Sequence, residues 1–317
     1  AGRSSAWPAS SWRCARALPA EHRSRLREAL CFFAAIACKL DRVVLGPSLF
    51  KASLVRLAAL AALSSVSVAA MACEQLRMEQ GGIVTSVTDG DTVILEDGRV
   101  VRMIGTQTPK LPLDRPDFET WPLAPEAKVA LEAIALGKPV RLGFGGEAVD
   151  RYGRILAHVF IDGPDGEIWA QQAMIGLGLA RVYSFPDNRA CLDLLFAAEG
   201  RARLGRLGIW ADPYYSIRAA DQPGELLARA GQYELVEGRI LLAEKNGGRV
   251  YLNFGRFWKE DFTAVIEAPA LRLFAEAGVD PLLLENALVR IRGWVDDRDG
   301  PRIEVTHPEQ IEVLATR

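Results

Sequence analysis

The chain has 317 residues, half of them hydrophobic and a quarter charged, which marks it as globular and long enough for two domains. Its formal charge of −2 hides an imbalance: residues 1–73 carry ten Lys/Arg against three Asp/Glu, and the remainder 28 against 37. An acidic body excludes a broad cationic face for nucleic acid, where phosphate neutralisation dominates affinity, and leaves room only for a local cationic site.

In chain order, residues 1–50 are rich in Arg, Ser and Ala and read as a disordered N-terminal extension or an overextended reading frame, with a transit-type leader as the alternative. Residues 51–73 read as a signal peptide or membrane anchor. Lys51 and Arg56 flank the apolar run Leu57–Ala72, and small residues precede Cys73. The run is short for a membrane span. The expectation is export to the periplasm or the medium, with membrane attachment only if this segment is retained or Cys73 is lipidated. Beyond it, Cys191 falls in an amphipathic stretch and is expected as a buried free thiol, with a Cys73–Cys191 disulfide as the less favoured alternative. No cysteine spacing suggests zinc.

Strands are predicted at Ile83–Val87, Thr92–Leu95 and Val100–Ile104, which alternate or run apolar between turn signals. Ala124–Leu136 has helical spacing and stops at Gly137. Val140–Phe144 and Ile155–Ile161 are strands again, and three strands, a helix and two strands match an OB-fold barrel. Helices near Trp169–Gly176 and Arg189–Arg206 are expected outside it, the last with a solvated stripe of Arg201, Arg203 and Arg206. A linker is placed at Asp221–Gly224. Strands then follow at Tyr233–Ala243, Arg249–Phe254 and Phe262–Glu267, a helix at Pro269–Ala277, and strands at Ala287–Val295, Arg302–Val305 and Ile311–Leu314. The fold class is therefore mainly β with helices: a five-stranded OB barrel over 81–215 and a second, smaller OB-like barrel over 230–315. Tyr251, Phe254, Phe257 and Trp258 beside Arg249, Arg256 and Lys259 could stack and hold a single strand, although alternation assigns at least half of these aromatics to the core.

The charged motifs lie in the first barrel: Asp89-Gly90-Asp91-Thr92, then Arg102, then Thr108-Pro109, then Asp150-Arg151-Tyr152-Gly153-Arg154. A turn carboxylate can hold a hard cation and two guanidinium forks can clamp a phosphate, a pairing that suits phosphodiester chemistry. Each residue also has a structural reading. Asp89 suits a hairpin turn, Arg154 a surface position and Tyr152 a packed ring. Lys110, after Pro109, reads by itself as a solvated loop lysine. An inward Arg102 on an apolar strand is costly unless paired or used.

The segments VTDGDTVILEDG, RVVRMIGTQTPK, DRYGRILAHVF, GLGLARVY and LGIW, from Gly82 to about Trp210, resemble the staphylococcal nuclease (thermonuclease) family. The resemblance implies a nuclease acting on DNA or RNA, with a single strand preferred and no stable protein partner. It also implies a divalent metal, calcium or magnesium, held by Asp91 and the Thr108 carbonyl. Arg102 and Arg154 become the catalytic phosphate clamp, and Tyr152 and Lys110 substrate contacts. Two positions depart from the pattern: Gln107 stands where a second metal-binding aspartate is expected, and Lys110 where the water-activating glutamate is expected. A missing base removes ~10²–10⁴-fold of rate. Two substitutes remain open, a neutral Lys110 or a carboxylate from the Leu111–Trp121 loop, which holds Asp114, Asp117 and Glu119. The reading is an exported metal-dependent nuclease of weak activity, or a catalytically impaired nucleic-acid- or nucleotide-binding protein.

Overall fold

One long strand organises the first barrel. The structure is a computed structural model that describes Cys73 and residues 76–113, 115–163 and 166–316. Residues 51–72 of the signal-type segment, the residues before them and Asp114 lie outside the described residues. Strand β1 (Arg77–Asp89) pairs along its first half with β5 (Pro139–Phe144) and along its second half with β2 (Thr92–Leu95). The change of partner, between Ile83 and Val84, follows a register shift between Gln80 and Gly82, where Gly82 adopts φ 108°, a conformation that favours glycine and bends the strand. β2 pairs with β3 (Val100–Met103), β3 runs parallel to β6 (Ile155–Gly163), and β6 pairs with β5. The ring β1-β2-β3-β6-β5 is thereby closed, and its five strands form an OB-fold barrel.

Between these strands lie β4 (Gly105–Gln107) and α1 (Ala124–Ala135); after them come β7 (Gly166–Trp169), α2 (Ala170–Gly176), β8 (Arg181–Tyr183) and α3 (Leu192–Leu204). Ala127, Leu131 and Ala135 recur every fourth residue, so α1 buries one stripe against Val84, Val93 and Leu142 of the barrel. β4 and β8 form a separate two-stranded ribbon that brings Gln107 opposite Arg181. Cys73 and Cys191 form a disulfide, which corrects the free-thiol expectation and ties the segment before β1 to the start of α3. β1 and the disulfide-tied Cys73 thus extend on the N-terminal side of the boundary expected at residue 81.

The second barrel repeats this topology with one change. The single strand expected at Tyr233–Ala243 is two, β10 (Tyr233–Arg239) and β11 (Leu242–Asn246), interrupted at Ile240–Leu241. β11 pairs with β12 (Arg249–Asn253) and β12 with β13 (Thr263–Ile266). Beyond the helix α5 (Ala268–Glu276), β13 runs parallel to β15 (Arg302–Glu304), β15 pairs with β14 (Leu288–Asp296), and β14 pairs with β10 and β16 (Ile311–Ala315). The expected linker is structured too. β9 (Arg218–Ala219) pairs with β10, and α4 (Pro223–Leu227) buries Leu226. Of the four aromatics, only Phe254 is buried; Phe257 and Trp258 are exposed, fewer in the core than alternation suggested.

The barrels meet through buried charge. Arg292 of β14, fully buried, donates to Glu199 of α3 at 2.9 and 3.2 Å and to the Val182 carbonyl at 3.2 Å. Arg203, expected on a solvated stripe, bridges Glu199 and Glu312 instead, while Arg201 and Arg206 are exposed.

Candidate active site

The β1–β2 hairpin turns through Gly90 and Asp91, and Asp89 of β1 lies opposite Thr92 of β2. A side chain at Gly90 would meet Ala127 Cβ at 2.8 Å and Thr108 Cβ at 2.9 Å, so only glycine lets α1 and the Thr108 loop close on the turn. That closure leaves Asp91 with no exposed surface. Its Oδ2 accepts from the Thr108 amide at 3.0 Å and lies 3.2 Å from Arg102 Nη2. Burial opposes the charge on Asp91, but Arg102 and Lys110 outweigh it and hold this carboxyl well below the usual range. Burial and the neighbouring Asp91 charge push Asp89 the other way, upward.

Lys110 does not float in solvent. Its Nζ donates to Asp91 Oδ2 at 2.7 Å, to Asp91 Oδ1 at 2.8 Å and to Asp89 Oδ2 at 3.0 Å. Asp89, read from sequence as a turn-former, is thus also an ion-pair partner. The Trp121 amide donates to the Lys110 carbonyl at 3.0 Å, and Tyr215 Oη donates to the Pro122 carbonyl at 2.7 Å, which pins both ends of the intervening loop. Asp117 and Glu119 of that loop are exposed.

Arg102 projects from β3 opposite Thr92 and donates to the carbonyls of Met103 and Thr106, the latter at 2.7 Å. It lines an open cavity of about 520 Å³ together with Arg151, Tyr152 and Arg154. The Asp150–Arg154 loop is shaped by Asp150, whose Oδ1 accepts the amides of Tyr152 and Arg154, both at 2.9 Å. Asp150 Oδ2 takes Arg154 Nε and Nη2, each at 2.7 Å. Burial works against the Asp150 charge, but the Arg154 amide and guanidinium bring its pKa below the ordinary value. Tyr152 is 69% exposed with Arg151 and Arg154 against its ring at 4.9 and 5.6 Å. Arg102, Arg154 and Tyr152 are therefore brought to one cavity. Lys110 is not among the residues lining it, and Asp91 and Thr108 lie buried beside Arg102. Tyr183 and Phe185 also line the cavity; Tyr183 closes the GLGLARVY segment of the resemblance, but neither stands out from sequence as a site residue.

The donor set does not fit the divalent cation that the resemblance implies. Such an ion needs several free oxygens. Both Asp91 oxygens and one of Asp89 face the Lys110 ammonium, and Gln107 Oε1 accepts from buried Arg181 Nε at 2.9 Å. Among the described residues, no three His, Cys, Asp or Glu side chains are grouped to hold a metal.

An OB barrel whose cavity beside the β1–β2 turn sets Arg102, Arg151 and Arg154 among Glu147, Asp150 and Asp187 defines the class: a nuclease-type OB domain. Residues 100–212 match the model of the staphylococcal nuclease homologue family. The chain is 32% identical over 131 residues to a thermonuclease of Staphylococcus intermedius, covering 40% of this chain and 74% of that protein. It is 31% identical over 137 residues to a thermonuclease of Staphylococcus hyicus, covering 42% and 78% respectively. It is also 30% identical over 132 residues to the endonuclease YncB of Bacillus subtilis, covering 40% and 60%. The chain belongs to the staphylococcal nuclease homologue family.

Proposed function

We propose that this chain acts on nucleic-acid phosphodiesters, gripping a strand at the cavity of the first barrel and hydrolysing it slowly. The observation that carries this reading is the convergence of Arg102, Arg154 and an exposed Tyr152 on one opening. The guanidinium forks hold a phosphate, and the Tyr152 ring offers a face on which an unpaired base stacks, so single strands are preferred. Slow turnover follows from Lys110, which is charged and spent on two carboxylates where a general base is expected, a loss of about 10²–10⁴-fold. Retention of strand binding without cleavage is the second reading, favoured by the same ion pair.

Export is part of the proposal. It is supported by the Cys73–Cys191 disulfide, because such bridges persist in oxidising compartments. The bridge also consumes the thiol that lipid attachment at Cys73 would require. The proposal is tested by incubating the full chain with end-labelled single- and double-stranded DNA and RNA. The account expects preferential binding and slow cleavage of single strands, both lost in Arg102→Ala. Equal handling of strands by that variant would sink it.

A further inference from the structure

We propose that the Lys110 ammonium is the resident cation of this site, so that strand binding at the adjoining cavity requires no divalent metal. This rests on the phosphate-gripping role assigned above to Arg102. Asp89 and Asp91 are almost wholly buried, and two carboxylates side by side in such a place need matching positive charge. Lys110 and Arg102 supply it, one for one. The closer of the two is Lys110, at 2.7 Å from Asp91 Oδ2 against 3.2 Å for Arg102. A divalent ion in place of the ammonium would put one more positive charge beside Arg102, without gaining Gln107 as a ligand.

The placement belongs to the fold and not to a chance rotamer. Pro109 precedes Lys110, the Thr108 amide is fixed on Asp91, and the Lys110 carbonyl is held by the Trp121 amide. Trp121 in turn packs on Phe118 and Tyr214, with ring centroids 6.1 and 6.0 Å away. Arg102, which shares Asp91 with Lys110, also lines the cavity with 12% of its side chain exposed, and an incoming phosphate would meet it there. Lys110 is thus a positioning residue that acts through Asp91 on Arg102.

The test has two independent readouts on the full, disulfide-bonded chain: melting temperature against calcium or magnesium concentration, and affinity for a fluorescent oligothymidylate with calcium or with chelator. The parent is expected to melt at the same temperature with or without either ion, and to bind the oligonucleotide equally well in chelator. Lys110→Gln frees the carboxylates and should acquire a calcium-dependent rise in melting temperature, which Lys110→Gln/Asp91→Asn loses again. A rise in the parent that Asp91→Asn abolishes would overturn the proposal, because the ammonium would then be yielding to the metal. So would a Lys110→Gln variant as blind to calcium as the parent. Should Lys110→Gln fail to fold, the parent titration still decides. If no strand binds under any condition, the strand-gripping reading falls alone, and the calcium titration still judges the role of Lys110.

Discussion

Arg154 and Arg102 line the same cavity, but their surroundings give them different duties. Arg154 is about a third exposed and shared with Asp150, so solvent and its partner discount what it offers a phosphate. Replacing it by alanine should weaken oligonucleotide binding by about tenfold, near the lower end for a charged hydrogen bond, and titration of a labelled strand checks this. Arg102 holds carbonyls and Asp91 as well, so Arg102→Ala should lower stability in addition to binding, read by denaturant unfolding. Two histidines set the acid limit. Burial pushes His158 and His307 down to about 4 from 6.5. His158 lies edge-on to Trp169, and His307 bonds Ser184 and Thr306 with Glu309, Arg189 and Arg292 nearby. The unfolded chain takes up these protons first, so the stability they give is complete above about pH 6.5 and is lost as pH falls towards 4, up to about 3 kcal/mol apiece. Unfolding free energy measured between those limits should fall with pH, and His158→Gln or His307→Gln should flatten the curve.

At the scale of elements, the hairpin and the α1 stripe were legible because burial imposes periods of two and about four on the residue pattern. The break between β10 and β11 was not. Ile240-Leu241-Leu242 is an apolar run with no turn residue in it, and only the pairing partners reveal where the strand divides. Lys110 was illegible for a related reason: the position after Pro109 is legible, but the direction of a four-carbon side chain is set by the fold around it. The disulfide joins cysteines 118 residues apart, beyond the reach of any local pattern. A loop of that length predicts that Cys191→Ser lowers unfolding free energy by about 3–5 kcal/mol, measured by urea titration of parent and variant. A loss under about 1 kcal/mol would mean that the unfolded chain is not constrained by the bridge.

The described residues form two barrels of one topology, joined by ion pairs of buried and half-buried side chains. Strand order made both barrels legible, whereas the lock between them was not: Arg203 reads as part of a solvated stripe, and nothing local marks Glu199, Arg292 and Glu312 as its partners. Breaking one partner of a buried pair strands the other, so Glu199→Ala should cost about 3–5 kcal/mol. Scanning calorimetry should also show one transition for the parent and two for the variant as the barrels uncouple. If, as proposed, attraction for nucleic acid is confined to the cavity and two arginines grip the strand there, binding of a single strand should show a shallow salt slope of about −1.4. The most direct measurement is the affinity of a fluorescent single strand for the parent and for Arg102→Ala, taken in chelator. The account predicts binding by the parent without any divalent ion and its loss in the variant. A parent that binds only when calcium is restored, or a variant that binds as well as the parent, would contradict it.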